Sequence, residues 1–216
     1  MGGSEQKYIT ETLASNWVTS LGPNLTDFED RLEAYLGSGA VAALNSGTSA
    51  IHLGLILLGV QAGDEVLCQT MTFSASANPI LYQGATPIFI DSEPDTWNLC
   101  PVALEEAIQD RIAKGVTPKA IIAVHLYGVP YKVAAIREVA DRYGIPILED
   151  AAEALGSSYK GQRCGTFGDI GVFSFNGNKI ITTSSGGALV LRTAALKKKA
   201  IFYATQSKDD APHYQH

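Results

Sequence analysis

Cysteine is scarce. Cys68, Cys100 and Cys164 are the three in 216 residues, and no CxxC pair or paired histidine pattern joins them. An odd, dispersed set gives neither a disulfide framework nor a zinc site, so a reducing, cytoplasmic compartment is the expectation. Positive charge is scarce as well: 16 Lys and Arg face 22 Asp and Glu, for a formal net charge of -6. Nucleic acids and anionic membranes are held by clustered cations, which this balance does not provide. The one basic run, Lys197 to Lys199, is expected to be a solvated helix face. Long apolar runs are missing too. The longest, near Ile51 to Val60, includes His52 and two glycines and is too short to span a bilayer. The opening MGGSEQKY lacks the shape of a signal peptide.

With 46% apolar and 18% charged residues, the chain has the composition of a soluble globular protein with one substantial core. Short runs rich in Val and Ile alternate with longer amphipathic segments, the pattern of βαβ units around a mostly parallel sheet. The expected strands are AVAALN (40–45), DEVLCQ (64–69), TPIFID (86–91), KAIIAVH (119–125), IPILED (145–150), DIGVFSF (169–175) and GALVLR (187–192). Between them, PVALEEAIQDRI (101–112) starts with a helix-opening proline, and YKVAAIREVADRY (131–143) stops at Gly144. The polar tail TQSKDDAPHYQH (205–216) ends without a terminating element, so the reading expects a chain cut before a further domain.

Ligands of α/β sheets collect beyond the carboxyl ends of the strands, so the residues that follow each strand carry the functional reading. After the first strand, Asn45-Ser46-Gly47-Thr48-Ser49 opens a helix with amides and hydroxyls suited to a phosphate, though an ordinary Ser/Thr cap explains it equally well. After the second, Phe73 offers a flat apolar face for a planar ring, or else a core aromatic. Asp150 ends IPILED, where it can meet a protonated pyridine nitrogen or cap the next turn. Beyond the sixth strand, SFNGNKIITT places Ser174, Asn176 and Lys179 in one loop. A lysine between two apolar strands either reaches solvent as most lysines do, or attacks a carbonyl carbon.

Each signal is common alone, but together and in this order they resemble pyridoxal-phosphate enzymes of the aspartate-aminotransferase fold type. The stretches LNSGTSAIHLGL, TFSASANPI, IFIDSEPDTWNL, VHLYG, LEDAAEALGS, GTFGDIGVFSFNGNKIITTSSGGALV and HYQH resemble the DegT/DnrJ/EryC1/StrS nucleotide-sugar aminotransferases. The resemblance implies a fold type I large domain over residues 1–216. Its expected form is α/β, with a mostly parallel seven-stranded sheet sandwiched by helices and a helix at the N-terminus, and without the family's small C-terminal domain. It implies pyridoxal 5'-phosphate as cofactor, with Lys179 as the Schiff-base lysine, Asp150 at the pyridinium nitrogen, Phe73 stacked on the ring and Ala152 on its other face. Gly47, Thr48 and Ser174 would hold the phosphate. The role of Glu153, where relatives carry Gln or His near the phenolic oxygen, stays open.

MGGSEQKYITETLASNWVTSLGP resembles the family's first helix and the loop bordering the substrate, which makes Asn16, Trp17 and Thr19 candidate substrate contacts; Trp17 is equally readable as a core aromatic. MGGSEQKYI, EDAAEALGS and FNGNKIITTSSGG resemble enzymes that aminate C4 of a UDP-4-keto-6-deoxy-N-acetylhexosamine on the bacillosamine route. Glutamate as amino donor and a homodimer with its active site at the interface follow from the same resemblance; no nucleic-acid or membrane partner is expected, on the charge balance and the short apolar runs. A dehydratase branch has histidine at the lysine position, and Lys179 argues against it. The alternative is a truncated, non-catalytic cofactor-binding fragment or regulatory module.

Overall fold

The structure, a computed structural model, describes residues 2–207, so the HYQH motif lies outside the described residues. All seven expected runs form strands of one sheet: β1 (Ala40–Leu44), β2 (Glu65–Gln69), β3 (Thr86–Ile90), β4 (Ala120–Val124), β5 (Ile147–Asp150), β8 (Ile170–Ser174) and β9 (Gly187–Leu191). A small hairpin of β6 (Ser158–Tyr159) and β7 (Gln162–Arg163) stands apart from it. That hairpin was not expected from the sequence. Its signal was Lys160-Gly161, whose φ values of 50° and 83° are the two positive angles of a tight two-residue turn.

The sheet order is β1-β9-β8-β5-β4-β2-β3. β2, β3, β4, β5 and β8 pair in parallel, whereas β9 runs antiparallel to both β8 and β1. Among the described residues seven α-helices accompany them: α1 (Glu5–Ala14), α2 (Pro23–Leu36), α3 (Gly47–Leu57), α4 (Ser74–Tyr82), α5 (Pro101–Ala113), α6 (Val133–Tyr143) and α7 (Ala194–Ala204). Pro101 opens α5 and Gly144 ends α6 in the left-handed region, as the sequence indicates. α6 starts two residues later than expected, because Tyr131 is instead buried flat against His125 at 4.6 Å.

Alternation along each strand divides the core. Val66, Cys68, Ile122, Leu148, Val172 and Leu189 meet α3, α4 and α7 on one face of the sheet. Leu67, Ile121, Ala123 and Ile147 meet α5 and α6 on the other, where Val41, Phe173 and Val190 also meet α2. Both faces are covered, which is why the strands read as nearly unbroken apolar runs. The exposed edge at β1 is closed by side chains of α2: Glu33 accepts from the Val41 amide at 2.7 Å and Glu29 from the Ala43 amide at 2.8 Å. Lys197 of α7 pairs with both glutamates at 3.0 Å, so only Lys198 and Lys199 are solvated, and the expectation of a solvated basic run is corrected there. Among the described residues, no helix is long and apolar enough to cross a membrane.

The motif GTFGDIGVF is explained by the fully buried Glu149. Its carboxylate accepts from the amides of Gly165, Phe167 (2.6 Å) and Gly168 (2.7 Å), and from His125 Nε2 at 2.6 Å. His125 Nδ1 accepts from the Tyr131 amide at 3.3 Å, which assigns the ring proton to Nε2. The loop folds so closely that a Cβ on Gly171 would stand 2.0 Å from the Gly165 carbonyl oxygen, so glycine is required there. Glu149→Ala strands all of these donors without an acceptor. The expected loss is roughly 3 kcal/mol or more in urea denaturation, from several unsatisfied buried groups. An unchanged midpoint would show that these donors find other partners.

Candidate active site

Beyond the carboxyl ends of β1, β2, β4, β5 and β8 lies a cavity of about 460 Å³. It is lined by Gly47, Thr48, Phe73, Asp150, Ala152, Ser174 and Lys179, with Ser76, Tyr127 and Glu153 among their neighbours. Seven residues singled out along the sequence thus share one space, of a size that suits a small cofactor.

The turn after β1 reaches this space because Ser46 caps α3, accepting from the Ser49 amide at 3.0 Å. The cap and phosphate readings are therefore compatible. Gly47 and Thr48 are the first residues of the helix, whose amides have no acceptor within it, and they lie at its positive end. A Cβ on Gly47 would stand 2.8 Å from Ser174 Cβ, so this glycine lets the helix terminus and the Ser174 side chain close on the same spot. Phe73 is 72% exposed and is not a core aromatic.

Lys179 sits in the connection between β8 and β9. That connection is a folded hairpin: the Phe175 amide donates to Gly186 O at 2.9 Å, Thr183 N to Phe175 O at 3.0 Å, and Lys179 N to Asn176 O at 3.0 Å. Ser185 Oγ donates to Asn45 O at 2.6 Å, tying the hairpin to the turn after β1. The lysine is neither buried among apolar side chains nor free in solvent. Its Nζ lies 3.4 Å from Glu153 Oε1, and Glu153 Oε2 accepts from the Tyr127 amide at 2.9 Å.

Asp150 ends β5 and is buried. It caps no helix: Oδ2 accepts from Ser76 Oγ at 2.7 Å and Oδ1 from the Ala152 amide at 3.1 Å. Thr72 Oγ1 lies 2.7 Å from Ser76 Oγ, so a hydroxyl chain supports the carboxylate from α4 and the turn before it. Burial pushes the Asp150 pKa above its ordinary value, against the Ser76 and Ala152 hydrogen bonds and the charge of Lys179. A carboxylate that is short of compensating charge and faces a cavity marks a place for a cationic ligand group. Cys68, beneath it, is pushed up to about 12 by burial and by the Asp150 charge, and is no thiolate nucleophile.

A second cavity, of about 750 Å³, adjoins the first at Ser185 and Gly186 and is lined by Trp17, Thr19, Arg31 and Asn45 among others. Trp17 is 50% exposed, not a core residue, and its ring lies over Gly22. Asn16, with φ of 59°, does not line this cavity.

A model of the DegT/DnrJ/EryC1/StrS aminotransferase family matches residues 1–216. The chain belongs to this family. EpsN of Bacillus subtilis (strain 168), provisionally named a pyridoxal phosphate-dependent aminotransferase, is 56% identical over 216 residues, covering 100% of this chain and 56% of EpsN. GDP-perosamine synthase of Caulobacter vibrioides is 40% identical over 214 residues, covering 99% of this chain and 56% of the synthase. Among solved structures, Spr1654 of Streptococcus pneumoniae, provisionally named a sugar aminotransferase, superimposes in its PLP and PMP forms with a TM-score of 0.91. It is 30% identical, and the match covers 100% of this chain and 58% of that one. The chain spans a little more than half the length of these relatives.

Pyridoxal phosphate is the cofactor of this family, and the site fits it: an amine, a buried carboxylate, an exposed aromatic face and a helix terminus with a hydroxyl share one cavity. Ser76, Thr72 and Tyr127 were not singled out as site residues from the sequence. Ser76 carries no distinguishing pattern in TFSAS, and only the packing of α4 against α3, β2 and β3 brings it to Asp150.

The raised Asp150 pKa has a consequence for stability. A group raised in the folded state stabilises the fold below its unfolded value, and that stability is lost as pH rises through the folded value. Asp150→Asn, without cofactor, is therefore expected to raise the urea midpoint at neutral pH, with the gain disappearing as pH falls below the ordinary 3.8. A variant less stable than wild type at pH 7 would show that burial does not dominate.

Proposed function

We propose that this chain is the cofactor-binding large domain of a sugar-nucleotide aminotransferase, working as a homodimer in the cytoplasm. Its expected reaction moves an amino group from glutamate to C4 of a UDP-4-keto-6-deoxy-N-acetylhexosamine. The observation that carries this reading is the opening of Lys179 and the buried Asp150 into one cavity with the α3 terminus.

In this reading Lys179 Nζ would hold the cofactor covalently, and the Asp150 carboxylate would face its pyridine nitrogen and favour its protonated form. Gly47 and Thr48 amides and the Ser174 hydroxyl would hold its phosphate, with Phe73 and Ala152 the residues for its ring. When bound, the cofactor supplies an electron sink for breaking bonds at the amino-bearing carbon. Ser76 and Thr72 orient the Asp150 carboxylate. Lys179 Nζ would also be the group placed to move a proton at the reacting carbons. The adjoining cavity at Trp17 and Thr19, with Asn16 in the same loop, is the proposed seat of the sugar nucleotide.

The likeness to EpsN supports the reaction class, while the likeness to GDP-perosamine synthase favours a second reading, in which the sugar is carried on GDP. Glutamate-dependent amination of UDP- and GDP-linked 4-keto sugars, run side by side, separates the two. Preference for the UDP substrate is expected; turnover of the GDP substrate alone would replace the reading.

The cofactor assignment is tested by absorbance after incubation with pyridoxal phosphate. A shifted band in wild type that is lost in Lys179→Ala is expected, and identical free-cofactor spectra from both would overturn the site. Asp150→Asn is expected to keep the fold yet lower turnover by roughly a hundredfold or more, the scale of losing one charge-stabilising group at a reacting centre. Near-normal kcat would remove Asp150 from that role.

A further inference from the structure

Glu153 follows β5 by three residues and touches two different parts of the cavity wall. Its Oε2 is fixed by the Tyr127 amide at 2.9 Å, in a turn where Tyr127 itself adopts a left-handed φ of 52°. Its Oε1 faces Lys179 Nζ at 3.4 Å. The pair is partly shielded, the lysine side chain being 13% and the glutamate 33% exposed. Asp150 is the other charged group that Lys179 influences, but its oxygens are engaged by Ser76 and the Ala152 amide. Ser174, Asn176 and Asn178, also on the cavity wall, carry no charge. Among the described residues, Glu153 is therefore the carboxylate within ion-pair distance of the lysine.

We propose that Glu153 is a parking site for the Lys179 ammonium, a positioning residue that holds the lysine whenever its nitrogen is not bonded to cofactor. The inference rests on the cofactor reading above and deepens it. Its consequence follows from counting charges. When the lysine captures the aldehyde form, its nitrogen forms a double bond to the aldehyde carbon, the carbonyl oxygen leaves as water with two nitrogen protons, and one positive nitrogen remains beside the cofactor's phenolate. With the amine form no such bond is made, and two ammonium groups, the cofactor's and the lysine's, share that one phenolate. The second cation needs a carboxylate, and Glu153 supplies it. Glutamate at this position thus favours the amine form of the cofactor, which is the form that must persist until a keto substrate arrives.

The test is the ratio of two affinities, measured by titrating the chain separately with pyridoxal phosphate and pyridoxamine phosphate. Glu153→Gln keeps an oxygen for the Tyr127 amide and removes the charge. It is expected to raise the pyridoxamine phosphate Kd relative to the pyridoxal phosphate Kd by about tenfold, the scale of removing one partner of a shielded ion pair. Glu153→Asp keeps the charge with a shorter reach, and its ratio should stay nearer wild type than that of the Gln variant. A purely structural role through Tyr127 makes the opposite prediction, with Gln tolerated and Asp the worse of the two. An unchanged ratio in Glu153→Gln, or that reversed order, would overturn the proposal. Failure of wild type to bind either form would instead overturn the cofactor reading and the inference with it.

Discussion

The buried carboxylate of Glu149 is the constraint on which the site depends. It sits one residue before Asp150, and strand alternation sends the two side chains to opposite faces of the sheet. Glu149 gathers three amides of the loop before β8, together with His125 from the end of β4. These contacts hold the carboxyl ends of β4 and β5 and the approach to β8 in a fixed relation. The cavity is built from the residues that follow those same strands. A buried charge on one face thus fixes the geometry of the chemistry on the other.

The two carboxylates have opposite surroundings. Glu149 is fully supplied with donors, whereas Asp150 has one hydroxyl and one amide, and burial outweighs them. The incomplete compensation makes Asp150 suited to a cationic ring nitrogen, because a ligand that brings positive charge relieves a cost already present in the fold. In the proposed reading, stability and function pull in different directions at this residue, as they often do where a site is arranged in advance of its ligand.

The sheet was legible in the sequence because its strands are buried on both faces and read as short apolar runs between helix signals. The candidate site was legible where polar groups gather at strand ends: Lys179, Asp150, Gly47, Thr48 and Ser174 follow or end strands and meet in one cavity. What escaped depends on tertiary approach. Ser76 lies 74 residues from Asp150 and looks like any helical serine. Lys197 looked like a solvated charge until α7 packed beside α2 and brought it to Glu29 and Glu33. Asn16 shares its loop with Trp17 and Thr19 but does not share their cavity, because adjacency in sequence does not fix which way a loop residue faces.

The reversed direction of β9 bears directly on the chemistry. A parallel β9 would require a crossover carrying the chain back to the amino ends of the strands, usually as a helix across one face. Running antiparallel, β9 is reached by a hairpin that stays at the carboxyl ends, where Lys179 lines the cavity. The same hairpin contributes Ser185 and Gly186 to both cavities and is anchored by Ser185 to Asn45. One antiparallel strand therefore supplies the amine, the shared wall between the two cavities, and a link to the helix terminus that faces the first of them.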